Sequence, residues 1–173
     1  MDDTIYLDVS SVNKETKEIE NYDVLLGKEA PSRARKMIRT NDVIFATVRP
    51  THQRITIIPE KFNRQVCSTG YFVIRTKKFL TSDFVYFFLL TEQFNKRMEK
   101  LQKGANYPAV TDNDVKSTII PFPPFKEQKA IVRQLDAMRA ETQKLEMVYN
   151  KKIADLEELR KSILQKAFAG ELK

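Results

Sequence analysis

Residues 123–173 read PPFKEQKAIVRQLDAMRAETQKLEMVYNKKIADLEELRKSILQKAFAGELK, and this stretch decides how the chain is organised. After Pro124 the sequence has no proline, and no glycine before Gly170. Ala, Leu, Glu, Lys, Gln and Arg dominate the stretch, and these residues lose least on entering a helix. We predict one uninterrupted helix, which at ~1.5 Å per residue would be roughly 60 Å long.

Apolar residues recur along this helix at alternating steps of four and three. This is the 3.5-residue repeat of helices that wind round one another. Thr142, Lys152 and Lys166 interrupt the seam, and polar seam residues fix register and orientation at some loss of stability. We expect a specific helical partner, contacted through a coiled-coil interface of Ile131, Leu135, Met138, Leu145, Tyr149, Leu156, Leu159 and Ile163.

The residues before the helix are enough for one globular domain of ordinary size, about 120 residues. We place this domain at residues 1–122 and the helical segment at 123–173. Alternating or apolar runs predict strands at 5–9, 43–48, 55–58, 71–75 and 116–122. Residues 30–36 are interpreted as a basic loop or short helix.

A core helix is predicted from Ser82, as its cap, to Leu101, with Gly104 as its C-cap. Its apolar face consists of Phe84, Phe87, Phe88, Phe94, Met98 and Leu101. The fold class is therefore α+β: a mixed globular domain followed by one long C-terminal coiled-coil helix.

The chain is basic, with 30 Lys and Arg against 23 Asp and Glu, a net charge of +7. The excess is uneven, because residues 1–23 are acidic whereas the stretch from Lys28 to Arg54 is strongly basic. A patch of this kind suggests a polyanionic partner such as nucleic acid, and it also fits a solvated surface. Charge alone leaves both interpretations open.

No catalytic or metal-binding constellation is recognisable in the sequence. Cys67 and His52 are the only residues of their types, so a disulfide framework or an ordinary zinc site cannot be built from this chain. Pro123-Pro124-Phe125 resembles the base-holding tetrapeptide of amino-methyltransferases, but Phe122 stands where that motif has an Asp, Asn or Ser oxygen. We predict a chain that is not itself an enzyme.

No apolar run approaches the ~20 residues that a membrane-spanning helix needs. The acidic start Met1-Asp2-Asp3 is not that of a signal peptide. We expect a cytoplasmic protein without membrane contact.

Six short motifs follow one another along the chain. They are APSRAR (30–35), DVIF with TVRP (42–50), STGY (68–71), Gly104 with YPAV (107–110), IPFPP with Glu127-Gln128 (120–128), and LQKAF with GEL (164–172). In their order and spacing they resemble the DNA-specificity subunit of type I restriction–modification systems. The resemblance covers nearly the whole chain.

The resemblance implies a target-recognition domain that reads one half of a bipartite site in double-stranded DNA, followed by the family's spacer helix. In the family, paired antiparallel spacer helices dock the methyltransferase subunits, and through them the restriction subunit. Catalysis and S-adenosylmethionine then belong to the methyltransferase subunit, and this chain is expected to bind no cofactor.

The chain departs from the family pattern in two ways. A complete member usually has two recognition domains and two spacer helices, whereas this sequence has one of each. It also lacks the strand and turn that normally precede Ile5. We expect either a half-length subunit, restored to the family geometry by a second copy packing antiparallel, or a truncated product. A symmetric dimer predicts a symmetric bipartite site.

The residues expected to contact DNA lie at predicted strand ends and loops, where a rigid scaffold aims side chains. Arg pairs bidentately with guanine, and Lys, Ser and Thr suit phosphates. The first set is Arg33, Arg35, Thr47, Arg49, His52 and Arg54; the second is Ser68, Thr69, Lys77, Lys78, Asn106 and Tyr107. The alternative is that Arg33, Arg49 and Tyr107, which lie in shared motifs, stabilise loops.

A competing function is that of an assembly or decoy protein. Its helix would bind partner subunits while its globular domain reads no DNA. An unrelated coiled-coil regulator is a third interpretation. Steep salt dependence of DNA binding, together with preference for one sequence over random DNA, distinguishes the first function from both.

Overall fold

The computed structural model of the protein describes residues 4–26 and 30–171. These residues fall into two compact units, the first ending at Val132 and the second beginning at Arg133. Lys28, at the start of the basic stretch, and Leu172, in the last motif, lie outside the described residues. The predicted α+β class and the long C-terminal helix are both confirmed.

Seven strands and four helices are described. The strands are β1 (Thr4–Leu7), β2 (Asp23–Leu25), β3 (Ala34–Met37), β4 (Val43–Ala46), β5 (Ile55–Ile57), β6 (Val66–Ser68) and β7 (Tyr71–Ile74). The helices are α1 (Ser82–Leu89), α2 (Glu92–Leu101), α3 (Asp112–Lys116) and α4 (Phe125–Phe168). Single 3₁₀ turns occupy Val9–Ser11, Pro50–His52 and Glu60–Phe62.

The strands form two sheets. The first has the order β2-β1-β6-β3, with β1 parallel to β6 and the other pairs antiparallel. The second has the order β5-β4-β7 and is antiparallel throughout. In the second sheet, Val43 pairs with Ile74 at one end of the strands and Ala46 pairs with Tyr71 at the other. The loops that follow Ala46 and precede Tyr71 therefore lie at the same end of the sheet.

Strand β4 lies between two hydrophobic clusters, and all four of its residues are buried. Val43 and Phe45 belong to the cluster formed with α1, α2 and α3, in which Phe45 meets the ring of Phe94 edge-on. Ile44 and Ala46 belong to a second cluster with residues of β1, β6 and β7. Successive side chains of a strand point to opposite faces, so one apolar strand supplies both clusters.

The single core helix predicted from Ser82 to Leu101 is two helices. Thr81, and not Ser82, caps α1, accepting a hydrogen bond from the Phe84 amide. Thr91 interrupts the segment in an extended conformation and caps α2 by accepting from the Phe94 amide. A threonine hydroxyl that accepts a hydrogen bond from the backbone competes with continuation of the helix, and the segment therefore breaks at Thr91.

Gly104 is not the C-cap of α2, which ends at Leu101 with Gln102 as its cap. Gly104 instead has φ 103° within the following loop. A Cβ atom at this position would lie 3.0 Å from the Tyr107 carbonyl oxygen. Glycine is therefore required by the loop that carries Tyr107, not by the helix end.

Two segments differ from their predicted structure. Residues 34–37 form strand β3, because they pair antiparallel with β6. The half-buried Lys36 donates to the Tyr71 carbonyl and pairs with Asp112 at 3.1 Å. Residues 117–124 form no strand, and Ile119 is 90% exposed. Pro121, Pro123 and Pro124 offer no N–H to a sheet.

Helix α4 starts against the globular unit through Gln128, whose side chain is fully buried. Its side-chain oxygen accepts from the Thr81 amide at 3.1 Å, and its side-chain nitrogen donates to the Phe79 and Pro123 carbonyls at 2.9 Å each. The predicted seam along the rest of α4 is mostly exposed, Leu156 for example by 64%. One chain therefore leaves this apolar stripe uncovered.

Candidate nucleic-acid interface

The connection between β4 and β5 holds four predicted DNA-contacting residues, Thr47, Arg49, His52 and Arg54, in a fixed loop. Arg49 has the left-handed conformation φ 49°, ψ 57°, and Gln53 has φ 48°, ψ 46°. Between them Pro50–His52 makes one 3₁₀ turn, closed by the His52 amide donating to the Arg49 carbonyl at 2.9 Å. Two left-handed residues that are not glycine mark a loop whose shape is imposed by its surroundings.

Arg49 is joined to the loop of Tyr107 by backbone and side chain. Its amide donates to the Pro108 carbonyl at 2.7 Å, and next to it Val48 forms a β-bridge with Ala109. The Arg49 guanidinium lies over the Tyr107 ring, 5.3 Å from its centroid. The Tyr107 side chain is nevertheless 73% exposed, so the pair presents a cation and an aromatic surface to solvent.

Thr47 supports this loop from inside. Its amide and its hydroxyl both donate to the Gly70 carbonyl, at 2.8 and 2.9 Å, and its own carbonyl accepts from Val110. The side chain is buried. Its role in this structure is to fasten the ends of β4 and β7 together, and its hydroxyl is engaged in doing so.

The loop at Ser68–Gly70 is fixed in the same way. The Ser68 hydroxyl is fully buried and accepts from the Gly70 amide at 3.2 Å. A Cβ atom at Gly70 would lie 2.6 Å from the Val9 side chain, so glycine is required by close packing. Thr69, by contrast, is exposed, and its amide donates to the Arg33 carbonyl at 2.9 Å. Arg33 and Thr69 are therefore neighbours, and Thr69 directly precedes Gly70, whose carbonyl accepts from Thr47.

His52 and Arg54 share their surroundings with residues that the sequence did not single out. The Arg54 guanidinium donates to the carbonyls of Val12 and Ser10, and the Lys17 ammonium donates to the Gln53 carbonyl at 2.8 Å. Although His52 is exposed, partial desolvation of its ring lowers its pKa, and the positive charges of Lys14, Arg49 and Arg54 lower it further. We define Lys14, Lys17, Arg49, His52, Arg54 and Tyr107 as the basic loop cluster.

Sequence reasoning missed Lys14 and Lys17 because the first 23 residues are acidic overall. The signal that could have identified them was Asn13, a residue type typical of turns, directly before Lys14. In the structure its side-chain oxygen accepts from the Glu15 and Thr16 amides and forms such a turn. Such a turn projects adjacent side chains in a fixed direction. Lys17 itself has φ 64° within it.

The structure does not bring all predicted residues together. Lys77 and Lys78 are exposed just beyond the Arg75 end of β7, where Arg75 pairs with the buried Asp42 at 2.6 Å. This is the end of the second sheet opposite to Thr47 and Arg49. Arg35 is exposed on β3, with its Nε donating to the Ser32 carbonyl, and Asn106 is exposed next to Tyr107.

Cys67 is buried in the second hydrophobic cluster, and burial raises the pKa of its thiol to about 12. Across residues 4–26 and 30–171, no three His, Cys, Asp or Glu side chains are gathered closely enough to hold a metal ion. None of the helices in the described part of the chain combines the length and the hydropathy of a membrane span.

Comparison with known proteins identifies the family. The model of the type I restriction modification DNA specificity domain matches residues 9–157. The chain is 27% identical over 169 residues to the type I restriction enzyme EcoDI specificity subunit of Escherichia coli, covering 98% of this chain and 37% of that protein. It is 33% identical over 97 residues to the EcoKI specificity subunit of Escherichia coli (strain K12), covering 56% of this chain and 21% of that one.

Two solved structures are similar over nearly the whole chain. The crystal structure of the HsdS subunit from Thermoanaerobacter tengcongensis matches with a TM-score of 0.81 and 35% identity, covering 95% of this chain and 43% of that one. A chain from a study of complex assembly and conformational transition of the type I R-M system matches with a TM-score of 0.87 and 35% identity, covering 96% and 43%. This chain thus spans less than half the length of these relatives, and it belongs to the type I restriction–modification DNA specificity family.

Proposed function

We propose that this chain recognises DNA as part of a type I restriction–modification complex, with its globular unit reading one half of a bipartite site. The observation that carries the proposal is the basic loop cluster. Its cations and its exposed tyrosine come from three separate loops. Backbone hydrogen bonds join the loops of Arg49 and Tyr107, and the Lys17 and Arg54 side chains join the third loop to them by donating to backbone carbonyls. Preorganised cations suit phosphates, and an Arg or His edge suits bases in a groove.

In this cluster and in the loops next to it, we assign different roles to exposed side chains and to side chains engaged in hydrogen bonds within the protein. Arg49, His52 and Tyr107 are exposed and are proposed to contact DNA, as is Arg33 beside Thr69. Thr47 and Ser68 are buried and are proposed to act through the loops that they hold. Arg54 is partly buried against carbonyl oxygens, so its main proposed role is to fix the loop at residues 10–12.

Helix α4 is proposed to dock methyltransferase subunits and to pair with a second copy of this chain. The exposed apolar stripe on α4 supports this part of the proposal, because a long solvent-facing stripe of this kind is stable only when another surface covers it. Catalysis and S-adenosylmethionine binding are assigned to the partner methyltransferase. A symmetric dimer would read a short sequence and its inverted repeat, separated by an unread spacer.

The test is to co-express this chain with the methyltransferase subunit encoded beside it, in a host without other adenine methylation, and to map modified adenines across the genome. The expected result is a symmetric, interrupted motif that disappears when this chain is omitted. An Arg49→Ala chain is tested alongside. The control is Lys78→Ala: Lys78 was a candidate DNA contact in the sequence, but it lies at the opposite end of the sheet from Arg49, and we propose that it does not contact DNA. We expect the Arg49→Ala chain to direct methylation of the same motif at a lower fraction of sites, and the Lys78→Ala chain to direct it as the unchanged chain does.

The same exposed stripe favours a second candidate function, an assembly or decoy protein that binds partner subunits without reading DNA. In that case the complex forms but no motif is methylated. The purified chain would also bind specific and random DNA with equal affinity. The recognition function instead requires that the affinity for specific DNA exceed the affinity for random DNA well beyond a ratio of one, at a stated salt concentration.

A further inference from the structure

An open groove runs along one flank of helix α2, beside the irregular segment that follows α3. Its volume is about 600 Å³. Phe94, which lines it, is a buried member of the first hydrophobic cluster, and Phe88 and Leu101 pack against that cluster. The groove therefore exposes apolar side chains of the core to solvent. We define the α2 groove by Phe88, Phe94, Arg97, Lys100, Leu101 and Ile119.

A smaller cavity adjoins the α2 groove on the side of the core. It has a volume of about 190 Å³ and shares Phe88, Phe94 and Thr118 with the groove. Voids larger than a water molecule are few in a closely packed domain. The cavity and the groove together give room for a bulky apolar side chain that comes from outside the chain.

The charged residues that line the α2 groove are all cations. They are Lys96, Arg97 and Lys100, and no Asp or Glu of the described residues lines the groove with them. Lys96 is already paired with Glu92 of its own helix at 2.7 Å. Lys100 is exposed and forms no ion pair within residues 4–26 and 30–171. Its charge is therefore available to a carboxylate of a ligand.

The Arg97 guanidinium is held in place at the edge of the groove. Its Nε donates to the Thr118 hydroxyl at 3.2 Å, and its Nη2 donates to the Ser117 hydroxyl at 3.1 Å. In the described part of the chain its Nη1 has no acceptor. A guanidinium that is already fixed loses little conformational entropy when its remaining N–H groups bind a carboxylate.

The segment on the other side of the groove leaves its backbone unpaired. Ile119 is 90% exposed, and no described residue accepts from its amide or donates to its carbonyl. Ile120, the next residue, is half-buried against the first hydrophobic cluster. This alternation is typical of extended backbone. The backbone groups of Ile119 can therefore pair with a second extended segment.

We propose that the α2 groove binds an acidic, extended peptide segment of a protein partner. One bulky apolar side chain of the segment enters the groove, and carboxylates on either side of it pair with Arg97 and Lys100. Duplex DNA is the other polyanion that would meet these cations. Its phosphate backbone presents no apolar group to fill a groove lined by Phe88 and Leu101, so the apolar lining favours a peptide.

Selection from a displayed library of random twelve-residue peptides tests the proposal on the purified full-length chain. The Ile119→Asp chain serves for counter-selection. Because Ile119 is 90% exposed, this change is expected to leave folding intact, which urea unfolding checks. The enriched peptides are expected to carry two or more Asp or Glu close to one bulky apolar residue. Enrichment of basic or uncharged peptides, or no enrichment over the Ile119→Asp chain, overturns the proposal.

Two substitutions at one position then separate charge from apolar contact. Fluorescence anisotropy measures the affinity of the most enriched peptide, synthesised with a fluorescent label. We expect Ile119→Asp to lower this affinity by about tenfold or more and Ile119→Lys by about threefold or less, because the two variants differ in the sign of the added charge. Lys100→Gln is expected to lower it by about three- to fivefold. Equal losses in the Asp and Lys variants would show that charge plays no part, contrary to the proposal.

Random-sequence duplex DNA is the second probe, because it distinguishes a peptide groove from an extension of the DNA-binding surface. Lys100→Gln is expected to leave DNA affinity unchanged, and Arg49→Ala is expected to leave peptide affinity unchanged. If Lys100→Gln and Ile119→Asp weaken DNA binding as much as Arg49→Ala does, the groove belongs to the DNA-binding surface and the proposal is wrong. A chain that binds the acidic peptide but no DNA would support the proposal and contradict DNA recognition alone.

Discussion

The guanidinium of Arg49 lies 5.3 Å from the centroid of the Tyr107 ring, although 58 residues separate the two along the chain. The contact is held from both sides, by the Arg49 amide donating to Pro108 and by the bridge between Val48 and Ala109. The stacked pair is therefore a consequence of the fold. It places a permanent charge and an aromatic face side by side on the surface.

Arg49→Ala is predicted to weaken DNA binding by about five- to tenfold without changing the preferred sequence, since one phosphate contact is lost. The slope of log affinity against log salt concentration should become shallower by about one. Fluorescence anisotropy with specific and random duplexes measures both quantities. Lys78→Ala removes the same charge at the other end of the sheet and should leave binding nearly unchanged. A change of preferred sequence in Arg49→Ala would contradict the phosphate assignment.

Arg49→Gly separates binding from stability at the same position. Its φ of 49° is costly for any residue with a Cβ and acceptable for glycine. We expect the free energy of unfolding to stay the same or rise by up to about 1 kcal/mol, while DNA binding falls as in Arg49→Ala. Urea unfolding measures the first quantity. A marked loss of stability would show that the side chain itself, through Tyr107, is what holds the loop.

DNA affinity is predicted to rise as pH falls through the His52 titration. In the free protein, partial desolvation and the neighbouring cations lower the pKa of His52 below 6.5. Nearby phosphates favour the charged form, so bound DNA would raise this pKa and binding would take up a proton. The gain in DNA affinity appears below the pKa that His52 has in the DNA complex and is absent above it. His52→Gln should remove this pH dependence; a binding curve that keeps it would locate the titrating group elsewhere.

Gln128→Ala is predicted to lower the free energy of unfolding of the globular unit by about 2–4 kcal/mol. The change leaves the Thr81 amide and the carbonyl groups of Phe79 and Pro123 without their partner. Gln128→Glu is a sharper variant, because a carboxylate can still accept from Thr81 but cannot donate to Phe79 or Pro123. Urea unfolding followed by circular dichroism gives the values. Glu127→Ala, an exposed neighbour on the same turn, should cost little by comparison.

The Cys67 thiol is predicted to be inert until the protein unfolds. Burial raises its pKa to about 12, so near pH 8 almost none of it is the reactive thiolate. Reaction with Ellman's reagent in the native state should be slower than in urea by a factor on the order of 10³. Rapid labelling of the folded chain would mean that the second cluster opens locally on the timescale of the assay.

Helix α4, strand β4 and the strand pair β5 and β7 follow from local patterns that the sequence displays directly. Residues 125–168 lack proline and glycine and repeat their apolar positions, and a helix is the regular structure that such a segment forms. The apolar run at 43–48 predicted a strand, and the structure has one at Val43–Ala46 with all four residues buried. The six motifs likewise identified the family, because their order is encoded in the chain itself.

Tertiary contacts decided the rest. Residues 34–37 become a strand because they pair with β6 and because Lys36 finds partners on Tyr71 and Asp112, and no local pattern reveals these long-range contacts. Residues 117–124 remain irregular because their prolines cannot join a ladder. The basic loop cluster is assembled from loops around Lys14, Arg49 and Tyr107, so its composition depends on chain folding over long separations. Charge and spacing indicated candidate residues, but only the folded backbone separated exposed Arg49 from buried Thr47 and Ser68, because burial depends on what packs against each side chain.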